Sequence, residues 1–246
     1  MKETIYTIPV NDAFNALSEC PACKLENDLE RSNVEFVTGA SLMEPDVRIQ
    51  MNKKGFCRRH YSDLLGSEKN ALGLSLILTS HHEYLDQETS NKAFKLYDKL
   101  GKSTNKKVKN KIAASLADSL SEILKRDASS CFICDRIAFT MDKYLDVIVY
   151  MWDNDAEFRK ICKASKGFCN KHTLSLLESG KKRLGSGSLA DFVYDLVTLY
   201  TDNWARTEED LRWFSKKFDY RFRDESWKNS RDALPRTIGR IVGFTD

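Results

Sequence analysis

Glycine and proline are scarce. Eleven glycines and four prolines in 246 residues come to about 6%, roughly half the usual share of these two residues. That shortage of turn formers argues against a turn-rich all-β fold and suits long helices. Charge of one sign is also lacking: 39 basic against 36 acidic side chains leave +3, too weak a bias to imply nucleic acid by itself. The chain opens Met1-Lys2-Glu3-Thr4-Ile5-Tyr6, without a basic segment leading into an apolar one, so no secretory signal is expected. The longest apolar runs, Ala71 to Leu78 and Val147 to Trp152, fall far short of the ~20 residues that span a bilayer. No membrane is expected among the partners, and a cytoplasmic location is.

Cysteine, by contrast, is plentiful at seven residues. In a reducing compartment, clustered cysteines read as metal-binding or catalytic, not as a disulfide framework. Their spacing repeats. Cys20-Pro-Ala-Cys23 is followed by Gly55-Phe56-Cys57-Arg-Arg-His60 and Leu64-Leu65; Cys131-Phe-Ile-Cys134 is followed by Gly167-Phe168-Cys169-Asn-Lys-His172 and Leu176-Leu177. Spacers of 33 and 34 residues separate Cys23 from Cys57 and Cys134 from Cys169. Arg48 aligns with Arg159 and Lys54 with Lys166. Two matched copies of so specific a pattern read as an internal duplication.

The spacers read as helix. Pro21 suits a first helical turn. Leu25, Leu29, Val34 and Val37, like Ile137, Met141, Tyr144, Leu145 and Ile148, recur at a period near 3.6. Gly39 and Pro45 punctuate the first of these helices. Shorter helices are expected over Asp46 to Lys54 and Asp155 to Lys166, stopped by Gly55 and Gly167, with a further helix starting near Cys57 and near Cys169. Longer helical stretches follow at Glu68 to Leu100 and Ser188 to Phe218. Between the copies, Lys99 to Lys111 holds six lysines and no acid, which reads as a solvated linker; Ile112 to Leu124 resumes the helical period. The expected organisation is all-α: a first metal-binding repeat over 1–100, a lysine-rich linker over 101–111, a second repeat over 112–218 and a basic, aromatic tail over 219–246. In this reading each copy is a helical hairpin stapled by its own Cys3His site.

C-x2-C and C-x2-H each place two donors about one turn apart. Together they supply three sulfurs and a nitrogen, a tetrahedral shell suited to zinc at about 2.3 Å from sulfur and about 2.0 Å from nitrogen. The candidate metal ligands are Cys20, Cys23, Cys57, His60, Cys131, Cys134, Cys169 and His172, for two ions. Four protein ligands close the shell, which makes the role structural. An iron–sulfur cluster and a dithiol redox centre are the alternatives for the same residues. Cys162 aligns with Met51 and reads as a core residue. His81 and His82 read as helix-surface residues, and Phe56 and Phe168 as apolar plugs beside the ligands. Arg58, Arg59 and Lys171 either soften the −1 charge of a three-thiolate zinc shell or are solvated. No carboxylate–His motif, nucleophile elbow or phosphate loop marks an enzyme.

The tail, Lys216 to Arg240, interleaves eight basic residues with Phe218, Tyr220, Phe222 and Trp227. It reads either as a segment folded back on the helices or as a surface for nucleic acid or another protein, with Arg221, Arg223, Trp227 and Arg231 as candidate partner-binding residues.

Several stretches together resemble a bacterial family of Firmicutes-type proteins, domain-of-unknown-function family 6062. They are Ile5-Tyr6-Thr7-Ile8-Pro9-Val10-Asn11, both cysteine motifs with their flanks (Asn52 to His60, Cys131 to Arg136, Ser165 to His172), Trp213 to Arg221 and Trp227 to Ala233. The resemblance spans essentially the whole chain. It implies an intracellular bacterial protein and adds no activity.

Overall fold

The computed structural model describes residues 5–67 and 71–245, the Ala40 side chain aside, and these residues form helices and no strand. The tetrapeptide Met1 to Thr4, and the helix start expected at Glu68, lie outside the described residues. In chain order the α-helices are α1 (Thr7–Asn15), α2 (Pro21–Thr38), α3 (Pro45–Lys54), α4 (Arg58–Gly66), α5 (Ala71–Thr89), α6 (Lys95–Lys102) and α7 (Lys106–Ser129). They continue with α8 (Phe132–Asn154), α9 (Ala156–Ala164), α10 (Asn170–Arg183), α11 (Ser186–Lys216) and α12 (Ala233–Val242). A π-helical turn, Ser90–Phe94, carries α5 into α6.

The expected linker is mostly helix. α6 runs to Lys102 and α7 starts at Lys106, leaving 103–105 between them. Asn105 caps α7, its side-chain oxygen accepting from Lys107 N at 3.0 Å and Val108 N at 3.3 Å. Lysine is a good helix former, so a run of lysines after a strong cap continues the helix.

By contacts the chain divides into one unit of Met1–Leu29 with Ala138–Asp246 and another of Glu30–Ile137. The chain passes from one to the other inside α2 and inside α8. This division differs from the one expected from the motif copies. In the first unit Phe14 meets Phe158 and Phe168 edge-on, with centroids 4.9 and 6.1 Å apart, and Trp152 meets Phe192 at 5.0 Å. Arg159 covers the Trp152 ring at 4.0 Å and donates from Nε to Trp152 O. Gly180 is required here: a Cβ would stand 2.7 Å from Phe192. In the second unit, buried Met51, Phe56, Ile77 and Phe132 form the core. Arg136 lies over Phe36 and Phe132 and donates to Asn33 Oδ1.

The tail folds back within the first unit. Lys217 is buried, and its ammonium donates to the carbonyls of Phe222, Arg223 and Glu225. Trp213 Nε1 donates to Ser226 O at 3.0 Å, and Trp227 packs 5.7 Å from Phe214. On α12, fully buried Arg240 donates to Phe168 O and Lys166 O at 3.1 and 2.7 Å. The buried face of α12, Ala233, Arg236, Gly239 and Arg240, thereby brings a committed arginine onto the Gly167-Phe168 turn.

Candidate metal centres

Each C-x2-C or C-x2-H pair sits at the start of a helix. Cys20 and Cys131 directly precede α2 and α8, and their carbonyls accept the first helical hydrogen bonds, from Lys24 N and Asp135 N. Cys57 and Cys169 are the N-caps of α4 and α10, with nearly identical backbone angles (φ −71°, ψ 165° and φ −68°, ψ 167°). The second donor of each pair therefore falls in the first turn. The exposed N–H groups and the helix dipole at this end favour negative charge, so thiolates are stabilised where the motif needs them. Cys20 and Cys131 sulfurs also accept from the backbone N–H of Cys23 and Cys134 at 3.4 and 3.5 Å.

Gly55 and Gly167 end the preceding helices with φ of +57° and +81°, a region that favours glycine. A Cβ on Gly55 would also stand 2.7 Å from His81 Nε2. His81 is accordingly not the surface residue expected from sequence. It is buried, 2.7 Å from Asn52 O through Nδ1 and 3.3 Å from Asp127 Oδ1 through Nε2. His82 is exposed.

The pairs combine across the copies. Cys20 and Cys23 meet Cys169 and His172; Cys57 and His60 meet Cys131 and Cys134. In each quartet all four donor atoms lie within 4.8 Å of one another. The pairing within each copy, Cys20-Cys23 with Cys57-His60 and Cys131-Cys134 with Cys169-His172, is thus corrected. Helix lengths explain why. At 1.5 Å per residue, the 23 residues of α8 rise about 35 Å. The nine residues of α9 could recover at most about 14 Å of that.

The distances suit one ion per quartet. Bond lengths to zinc of about 2.3 and 2.0 Å put tetrahedral S···S edges near ~3.8 Å and S···N edges near ~3.5 Å. In the first centre His172 Nδ1 lies 3.6, 3.3 and 3.3 Å from the sulfurs of Cys20, Cys23 and Cys169, and Cys23 and Cys169 are 3.6 Å apart. In the second, His60 Nδ1 lies 3.3, 3.2 and 3.4 Å from Cys57, Cys131 and Cys134, and Cys57 and Cys134 are 3.8 Å apart.

The other ring nitrogen of each histidine faces a carboxylate. His60 Nε2 is 2.6 Å from Glu30 Oε2 and His172 Nε2 is 3.4 Å from Glu26 Oε2. A carboxylate there fixes the tautomer that leaves Nδ1 free for a metal. The basic residue preceding each histidine holds the same acid: Arg59 pairs with Glu30 at 3.1 Å and Lys171 with Glu26. Neither glutamate was singled out from sequence. They follow Cys23 by three and seven residues on α2, while the same offsets from Cys134 hold Ile137 and Met141, so a search for repeats passes over them.

Proton affinities follow the same contacts. Burial opposes a charged ring at His172, but Cys169, Cys23 and Glu26 outweigh it and raise its pKa to about 11. At His60 burial is again overcome, by Cys131 and Glu30, and the pKa rises to about 10. Positive charge is favoured at both quartets. Glu26 is held down to about 2, chiefly by His172. Burial pushes the Cys162 thiol up to about 12, and it belongs to neither quartet, in keeping with a core role. Phe56 and Phe168 are buried as plugs.

The centres differ in cover. All four candidate donors of the first are buried, and Phe244 N donates to Cys23 Sγ at 3.3 Å. In the second, Cys134 is exposed and Cys57 half-buried. Of the proposed partner-binding residues, Arg221 is paired with Asp219 at 2.6 Å and Trp227 is packed in the folded tail. Arg223 and Arg231 are exposed.

No helix among the described residues is long and apolar enough to cross a membrane. No curated protein and no solved structure matches the chain. The model of a family of unknown function, DUF6062, matches residues 1–246, the whole chain, and the protein belongs to that family.

Proposed function

We propose that the protein binds two zinc ions in closed Cys3His centres, and that these are structural staples in a cytoplasmic helical scaffold that presents its surface to a macromolecular partner. The observation carrying this reading is the convergence of four protein donors on one point, twice, at the edge lengths of a zinc tetrahedron. Four protein ligands leave no position for a substrate, as structural zinc sites do and catalytic ones do not. All three sulfurs of each shell sit at helix starts, and a carboxylate–histidine pair orients the nitrogen ligand, the outer support usual for metal-bound histidine. An iron–sulfur cluster spreads its ligands over two or more irons, which four donors within 4.8 Å suit less well than a single ion.

Elemental analysis of protein purified without oxygen tests the reading. About two zinc per chain and cooperative unfolding on chelation are expected. A brown, iron-containing protein, or at most one ion per chain, would overturn it.

A further inference from the structure

Besides the metal centres, the first unit carries a basic concavity of about 610 Å³. Five cations line it: Lys166, Arg206, Lys228, Arg231 and Arg236. Only two acids, Glu19 and Asp232, share the lining. Glu19 is committed to Arg206 at 2.5 Å and Lys166 at 3.3 Å. Arg236, 8% exposed, forms the floor. Its terminal nitrogens are held by Asp210, Asp232 and Asn229 O, while its buried Nε has no hydrogen-bond partner among the described residues. Asn203, equally buried, fixes the Arg206 guanidinium through its Oδ1 at 3.2 Å.

Two cations are left over. Arg231 makes no hydrogen bond or ion pair among the described residues, and the Lys228 ammonium has no acid partner; it rests over the Trp213 ring at 3.8 Å. Lys228 is held at φ +50°, a conformation that residues with side chains rarely adopt. A built floor, a surplus of positive charge and two rim cations without an acid partner suit a doubly charged oxyanion, to which Arg and Lys are the matching donors.

We propose that this concavity binds a small free anion carrying phosphate groups. Its size falls within the range of small-molecule sites. Its neighbourhood disfavours a nucleic-acid track: beyond Lys228 the adjoining surface mixes Glu208, Glu209 and Asp210 with Arg212 and Lys216, so the surplus of positive charge does not continue along the path an extended polyanion needs. The inference does not rest on the identity of the metal.

The test is calorimetric titration of the full-length, metal-loaded chain with inorganic pyrophosphate, alongside a 20-nucleotide single strand. Saturable one-to-one binding of pyrophosphate is expected, weakened about tenfold or more by Arg231→Ala and by Lys228→Ala, the loss typical of one hydrogen bond to a charged group. Arg221→Ala, paired with Asp219 outside the concavity, should leave it within about twofold, as expected where no contact is removed. Both test residues are exposed, so folding should survive, and circular dichroism with metal content checks this on the same samples. Absence of saturable pyrophosphate binding, or binding indifferent to both rim variants, overturns the proposal. So does an oligonucleotide that binds more tightly than pyrophosphate and displaces it.

Discussion

Exchanging Cys23 and Cys169 together for serine removes two of the four donors of the first centre and none of the second. Structural zinc in small domains is worth about 10–16 kcal/mol at neutral pH, so each of four donors carries about 3 kcal/mol. Losing two weakens the first centre by about four orders of magnitude and leaves the second at full affinity. Exchanging Cys23 and Cys57 instead removes one donor from each centre. Both ions are then held about a hundredfold more weakly. Titrating zinc-loaded variants with a chromogenic chelator counts the equivalents that retain wild-type affinity. The Cys23→Ser/Cys169→Ser protein should keep one and the Cys23→Ser/Cys57→Ser protein none. If each motif copy formed its own site, the two results would change places, and the cross-copy pairing would be refuted.

Glu30→Gln should weaken the second centre alone by about 10–100-fold, and Glu26→Gln the first alone, as outer partners of metal-bound histidine usually do; chelator competition reads both. Gly55→Ala should destabilise the protein by about 1–3 kcal/mol in thermal unfolding, and by more than Gly167→Ala, because its Cβ meets the His81 ring at 2.7 Å while that of Gly167 stands 3.3 Å from Asn203 Nδ2. Asp146 is held below its ordinary pKa: burial works to raise it, and Arg183 and Ser179 outweigh burial. A carboxylate depressed in the folded state adds stability above its unfolded pKa, which is lost as pH falls through the folded one. Asp146→Asn should therefore cost about 0.5–1 kcal/mol at pH 7, as part-exposed pairs do, and less around pH 2, where protonation removes the same contribution from wild type. Equal losses at both pH values would count against that account.

The two groups of candidate donors and the helices that carry them are legible because both depend on local chemistry: donors one turn apart, apolar residues at 3.6, glycine where φ must be positive. Cys162 was legible as a core thiol because its aligned position in the first copy is Met51. The pairing was not legible. Two identical half-site types can combine in two ways, and spacing alone cannot choose between them; the folded positions of the four helix starts do. His81 looked like a surface residue because its partners, Asn52 O and Asp127, lie 29 and 46 residues away in sequence. The tail aromatics were ambiguous for a similar reason, since whether Trp227 binds a partner or packs on Phe214 depends on where the chain turns after α11.

Cross-copy pairing makes the two centres nested. All ligands of the second, residues 57–134, lie within the segment that Cys23 and Cys169 close. The outer closure spans 146 residues and the inner ones 71–77, against 34 and 35 for pairing within each copy. Loop entropy grows only as the logarithm of length, so the longer loops cost about 2 kcal/mol in total. That is small beside the stabilisation a bound zinc ion would supply, so entropy does not prevent the cross-copy pairing. Nesting also orders assembly. Once the inner centre is closed, the outer loop is effectively halved, a gain of about 0.6 kcal/mol or roughly threefold in closure probability. Zinc-triggered refolding followed by stopped flow should therefore fill the first centre about threefold more slowly in Cys57→Ser/Cys134→Ser, whereas Cys23→Ser/Cys169→Ser should leave filling of the second unchanged. A reciprocal slowing would mean that neither centre closes inside the other.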